Sequence, residues 1–70
     1  MNRDQFIRRL KRFCRETGRA VPVVDPARGK GSHARIAVDD KKTTIKAGEF
    51  SPRYVALLLK QLGLPPDALD

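Results

Sequence analysis

Ser32-His33-Ala34-Arg35-Ile36-Ala37-Val38-Asp39-Asp40-Lys41-Lys42-Thr43-Thr44-Ile45-Lys46 is the stretch on which the fold turns. From Ser32 to Val38 apolar and polar positions alternate with the period of a strand. Ala34, Ile36 and Val38 point one way and His33, Arg35 and Ala37 the other. Asp39-Asp40-Lys41 is a polar hairpin turn. Lys42 to Lys46 returns as a partner strand with Thr43 and Ile45 on one face. Upstream, Arg19 to Val24 reads as another short strand. Pro22 has no N–H to give a ladder, which places this strand at a sheet edge. Between the strands lies Asp25-Pro26-Ala27-Arg28-Gly29-Lys30-Gly31, a basic turn.

Two amphipathic helices flank the strands. In the first, Arg3 to Thr17, the apolar stripe is Phe6, Leu10, Phe13 and Thr17, with Ile7 and Cys14 beside it. Arg8, Lys11, Arg12 and Arg15 fill the opposite arc. Asn2 with Gln5 three residues on is a capping-box start, and Gly18 is the expected left-handed stop. In the second, Ser51 is the N-cap and Pro52 sits at the first helical position. Val55, Leu58, Leu59 and Leu62 form its stripe, and Gly63-Leu64 closes it before Pro65-Pro66. The expected fold is α+β: an α-β-β-β-α two-layer sandwich, a three-stranded antiparallel sheet with two helices on one face. The other sheet face, carrying His33 and Arg35, is then uncovered. Residues 1–70 are expected to make a single domain with a thin core and a frayed acidic tail at 65–70.

Charge narrows the partner. The chain has formal net charge +7. Residues 1–35 hold ten Lys/Arg against three Asp/Glu, while residues 36–70 hold five of each, so the whole excess lies in the first half. Such a footprint suits a polyanion, most often nucleic acid, and acidic proteins are the other class it suits. The longest apolar run, Val55 to Leu59, is far short of the ~20 residues that span a bilayer. With a single cysteine there is no disulfide framework. No signal-like stretch is present, and a cytoplasmic location is expected.

Most enzyme classes find no footing. No His, Cys, Asp and Glu set has metal-ligand spacing, and no cofactor motif is present. Arg28-Gly29-Lys30-Gly31 is too short for a phosphate-binding loop and lacks its Lys-Ser/Thr ending. Cys14 lies on the apolar helix face, as an inert thiol does. His33, the only histidine, is what remains. RNA carries its own nucleophile, the 2′-hydroxyl, beside its own phosphate. Cutting it therefore needs a base, a cation near the phosphate and a grip on the strand. Lys30, Arg35 and Lys46 are candidate phosphate clamps. The alternative role for His33 is a solvated or phosphate-contacting side chain.

The arrangement of an N-terminal helix, a basic loop and Gly31-Ser32-His33 opening the central strand resembles the HicA toxins of toxin–antitoxin pairs, also called the YcfA-like family. Thr44-Ile45, the Lys46-Ala47-Gly48 loop and the closing Leu57-Leu58-Leu59-Lys60-Gln61-Leu62-Gly63-Leu64 run are similar too. The likeness covers about Phe6 to Leu69. It implies a fold similar to the double-stranded-RNA-binding domain and a metal-independent mRNA interferase, an endoribonuclease, whose catalytic residue is His33. It also implies a HicB-like antitoxin partner that covers the site, and makes Gly31 the residue that admits close backbone approach to RNA. Beside it and the clamps Lys30, Arg35 and Lys46, the candidate RNA-contacting residues are Arg28 and Ser32. The proton for the leaving group would come from Lys30, Lys46 or water. A non-catalytic RNA-binding module of the same fold is the alternative.

Overall fold

The structure is a computed structural model that describes residues 1–25 and 33–69. Its elements run α1 (Arg3–Glu16), β1 (Val23–Asp25), β2 (Ala34–Val38), β3 (Lys41–Ile45) and α2 (Pro52–Gln61). The sheet has the order β1-β2-β3, antiparallel throughout, with β2 in the centre. This is the α-β-β-β-α layout that the sequence predicts.

Why α1 forms is visible at its ends. The Asn2 side chain accepts the Gln5 N–H at 2.9 Å, and the Gln5 Oε1 accepts the Asn2 N–H at 3.0 Å, a complete capping box. At the other end Gly18 has φ +75°, which a side chain would resist. The Arg19 N–H then reaches the Cys14 carbonyl and the Gly18 N–H the Arg15 carbonyl. The second helix stops by the same device: Gly63 has φ +72°, and the Leu64 N–H donates to the Leu59 carbonyl at 2.9 Å. Ser51 caps its start by accepting the Tyr54 N–H. Ser51→Ala should cost about 1 kcal/mol of stability in urea unfolding, the usual loss of a serine cap.

One core lies between the layers. It joins Phe6, Leu10 and Cys14 of α1 to Ala34, Ile36 and Val38 of β2, Ile45 of β3, and Leu58, Leu59 and Leu62 of the α2 end. Because only the alternate residues of β2 are buried, both helices cover the same face of the sheet. The Thr43 hydroxyl donates to the Gln61 side-chain carbonyl, tying β3 to the end of α2.

Several details differ from the sequence reading. The hairpin turn is Asp39-Asp40 alone, because Lys41 pairs with Val38, so the third strand is Lys41–Ile45 and not Lys42 to Lys46. The first strand is Val23–Asp25, not Arg19 to Val24, since Pro22 itself cannot pair and the ladder begins after it. The stripe of α1 is centred on Phe6, Leu10 and Cys14. Phe13 is only partly buried, and Thr17 is exposed with its hydroxyl donating to the Phe13 carbonyl at 2.8 Å. Of the tail expected to fray, residues 65–69 fold back: the Ala68 N–H donates to the Pro65 carbonyl, and Ala68 joins the core.

Cys14 is fully buried and free. Burial pushes its thiol pKa up, against a smaller lowering by Arg19 and with a further raising by Asp39. The expected result is that a thiol reagent modifies the native chain slowly and the urea-unfolded chain at the rate of a free cysteine. The pH sign follows. Above the ordinary thiol range the unfolded chain loses this proton while the folded chain keeps it, so stability declines as pH rises.

Candidate nucleic-acid interface

The register of the sheet fixes what stands on its uncovered face. Asp25 lies opposite Arg35, which lies opposite Thr44; Val23, Ala37 and Lys42 form the neighbouring rung. Directly opposed residues in an antiparallel ladder share a face. All these side chains except the half-buried Ala37 are exposed, as expected on the side away from the helices. Arg35 is central on this surface, between Asp25 and Thr44, and its side chain is exposed. Val23 adds an apolar spot and is 67% exposed.

His33 directly precedes β2 and is exposed. Its place is set by the last rung, where Ala34 pairs with Ile45. His33 and Lys46 are the first residues past that rung on the two strands, so the sequence-predicted base and one predicted clamp share one end of the sheet. Arg35 follows two residues on, along the same outward alternation. Arg28, Lys30, Gly31 and Ser32 lie outside the described residues.

Lys46 is held by a residue the sequence reading passed over. Its backbone N–H donates to the Tyr54 hydroxyl at 3.2 Å, and its Nζ lies 4.8 Å from the centre of the Tyr54 ring. A lysine over a tyrosine face gains about 0.5–1 kcal/mol at an exposed site, enough to bias its direction without removing it from solvent. Tyr54 is positioned in turn by Phe50, whose ring meets it edge-on at 4.8 Å and 81°. Phe50 rests on Phe6 at 5.5 Å. The available signal was a tyrosine in the first turn of a helix that begins a few residues after Lys46.

The cations do not form one patch. Phe6, Leu10 and Cys14 point α1 at the core, so Arg8, Arg12 and Arg15 stand on its far side, with Lys11 on the flank. That arc faces away from the sheet, on the layer opposite His33. Among the described residues only Arg12 has a close acidic partner there, Glu16 at 3.3 Å. Arg8 with Lys11, Arg8 with Arg12, Lys11 with Arg15 and Arg12 with Arg15 are like-charge neighbours at helical spacing. Each such pair costs an isolated helix about 0.2–0.5 kcal/mol.

Neither a family model, nor a curated protein, nor a solved structure matches this chain. Its site is therefore read from its own chemistry. Among the described residues no three His, Cys, Asp or Glu side chains are grouped to hold a metal ion. No helix among them is long and apolar enough to cross a membrane. A groove of about 290 Å³ on the helical layer is lined by Met1, Arg9, Phe50, Val55, Leu59 and Leu69 among others. Its lining side chains are apolar apart from Arg9, and none of them is a His, Cys, Ser, Asp or Glu.

What the sheet end can do chemically follows from three groups. The imidazole of His33 carries a ring nitrogen that serves as a proton acceptor in its neutral form. Arg35 presents a planar fork matched to phosphate oxygens, and Lys46 a point charge. No described residue covers this face of the sheet, which leaves room across them for a strand of nucleic acid.

Proposed function

We propose that this protein is a metal-independent endoribonuclease of the HicA-toxin kind that cleaves mRNA at the end of the open sheet face. One observation carries the reading: the single histidine of the chain stands exposed at the mouth of the central strand, beside Arg35 and Lys46 on a face that no described residue covers. His33 takes the proton of a ribose 2′-hydroxyl. The 2′-oxygen attacks the adjacent phosphorus, the bond to the 5′-oxygen breaks, and a solvent or lysine proton goes to that leaving oxygen. A 2′,3′-cyclic phosphate and a free 5′-hydroxyl result. Arg35 and Lys46 stabilise the charge that develops on the phosphoryl oxygens, the kind of placement that carries much of such a rate enhancement. Arg28, Lys30, Gly31 and Ser32 are the further proposed RNA contacts.

A HicB-like antitoxin is the proposed partner, acting by covering this face, and the proposed location is cytoplasmic. The exposed Val23 beside Arg35 supports a protein lid, since burying it would add apolar contact next to the charges. The test is RNA incubated in excess EDTA with the wild type and with His33→Ala, and DNA of the same sequence as control. Cleavage of RNA alone, by the wild type alone, is the expected result.

A second reading, a non-catalytic RNA-binding module, is favoured by one observation. Among the described residues no carboxylate is hydrogen-bonded to His33 to orient its ring, as the partner of a catalytic histidine commonly does. Intact RNA in both lanes with a retained gel shift decides for it.

A further inference from the structure

We infer that the outer arc of α1 is a second RNA-docking surface, separate from the His33 face, so that the protein is built for strands long enough to reach round its body. The inference rests on the ribonuclease reading only in taking RNA as the ligand. Its basis is the charge on α1. Arg8, Lys11, Arg12 and Arg15 are all exposed, and all lie on or beside the side of α1 away from the buried Phe6, Leu10 and Cys14.

Two features set this arc apart from an ordinary solvated helix face. Such faces interleave opposite charges at helical spacing, which stabilises the helix. Here Glu16 engages Arg12 and Asp4 stands four residues before Arg8, so two acids at the ends of the arc face four cations, and no acidic residue lies between Arg8 and Arg15. The repulsion among the others is relieved when phosphates settle between them. Moreover the arc is continuous: Arg8, Arg12 and Arg15 span two turns, about 10 Å of helix, room for roughly three phosphates of a strand.

The substrate class follows from the geometry. The His33 face and the α1 arc lie on opposite layers, and the smallest dimension of the body is 18 Å. A strand that occupies both must cover at least that distance, roughly five stacked nucleotides at 3.4 Å each. A dinucleotide reaches the sheet face alone. Long single-stranded RNA, rather than short oligonucleotides, is the substrate that uses the whole charge distribution.

The experiment uses the full chain carrying Arg8→Gln, Lys11→Gln and Arg15→Gln together. Binding is measured on a His33→Ala background, to a labelled single-stranded RNA of about 30 nucleotides over a salt series. Removing three phosphate contacts should make the slope of log affinity against log salt shallower by about 2. On the His33 background, the ratio of kcat/KM for the long RNA to that for a dinucleotide should fall at least about tenfold. Melting temperature should stay or rise, because like-charge pairs have been removed.

An unchanged slope overturns the inference, and so does a fall in melting temperature large enough to account for the lost affinity. Binding to phosphatidylserine-containing vesicles that the triple variant loses, with the RNA slope unchanged, assigns the arc to a membrane surface instead. If the wild type cleaves nothing yet the slope still shifts, the ribonuclease reading fails while the docking surface stands.

Discussion

With His33→Ala, RNA cleavage in EDTA should fall by about 10²–10⁴-fold, the usual contribution of a positioned general base. The size of the effect follows from there being no substitute. His33 is the only histidine in the chain, and Arg35, two positions on, stays charged and cannot accept a proton. Stability should be untouched, because the side chain is exposed and precedes the ladder, so its removal empties no cavity and breaks no pairing. Surface changes of that sort stay within about 0.5 kcal/mol. The variant should also still bind RNA, since phosphate contacts through guanidinium and ammonium groups do not involve the imidazole. An intact fold, retained binding and lost cleavage together isolate chemistry from structure. Continued cleavage by the variant removes His33 from the mechanism.

The parts of this fold that the sequence disclosed are those where a local rule acts alone. The alternation of Ala34, Ile36 and Val38 against Arg35 and Ala37 sets the buried side of β2 regardless of what packs on it. Gly18 and Gly63 end their helices because each takes a positive φ at a position where other residues are strained. What the sequence hid depends on tertiary contacts. Cys14 and Phe13 sit on adjacent edges of the α1 stripe, and only the direction from which the sheet approaches decides that Cys14 is buried and Phe13 half-open. Ala68 looked like part of a polar tail because its burial requires the turn after α2 to fold back. At the site, alternation placed His33 and Arg35 outward, whereas the grip of Tyr54 on Lys46 joins residues from two elements and has no periodic signature.

Phe6→Ala should lower the stability of the chain by about 3–5 kcal/mol, and the reason links the core to the site. Phe6 is fully buried on α1, and its ring lies 5.5 Å from that of Phe50 at an angle of 58°. Truncating a buried phenylalanine costs about 3–5 kcal/mol through lost transfer energy and the cavity that remains. At 0.05–0.15 kcal/mol per residue, a chain this short has roughly 4–10 kcal/mol in total. The substitution therefore consumes from a third of the stability to all of it. Leu57→Ala provides the contrast: Leu57 is 48% exposed on α2, so its truncation leaves no enclosed void and should shift the urea midpoint little. A Phe6→Ala midpoint close to that of Leu57→Ala would show that the two layers are not held by this ring. The effect should also travel. Phe6 supports Phe50, Phe50 meets Tyr54 edge-on, and Tyr54 holds the backbone N–H and the ammonium of Lys46. In whatever fraction of Phe6→Ala stays folded, this stack is loosened at its base, so the Lys46 end of the sheet should lose order before the hairpin does. Amide exchange at Lys46 rising ahead of that at Ile36 is the measurable sign, because Lys46 donates to a side chain held by stacking and Ile36 belongs to the central strand, flanked on both sides.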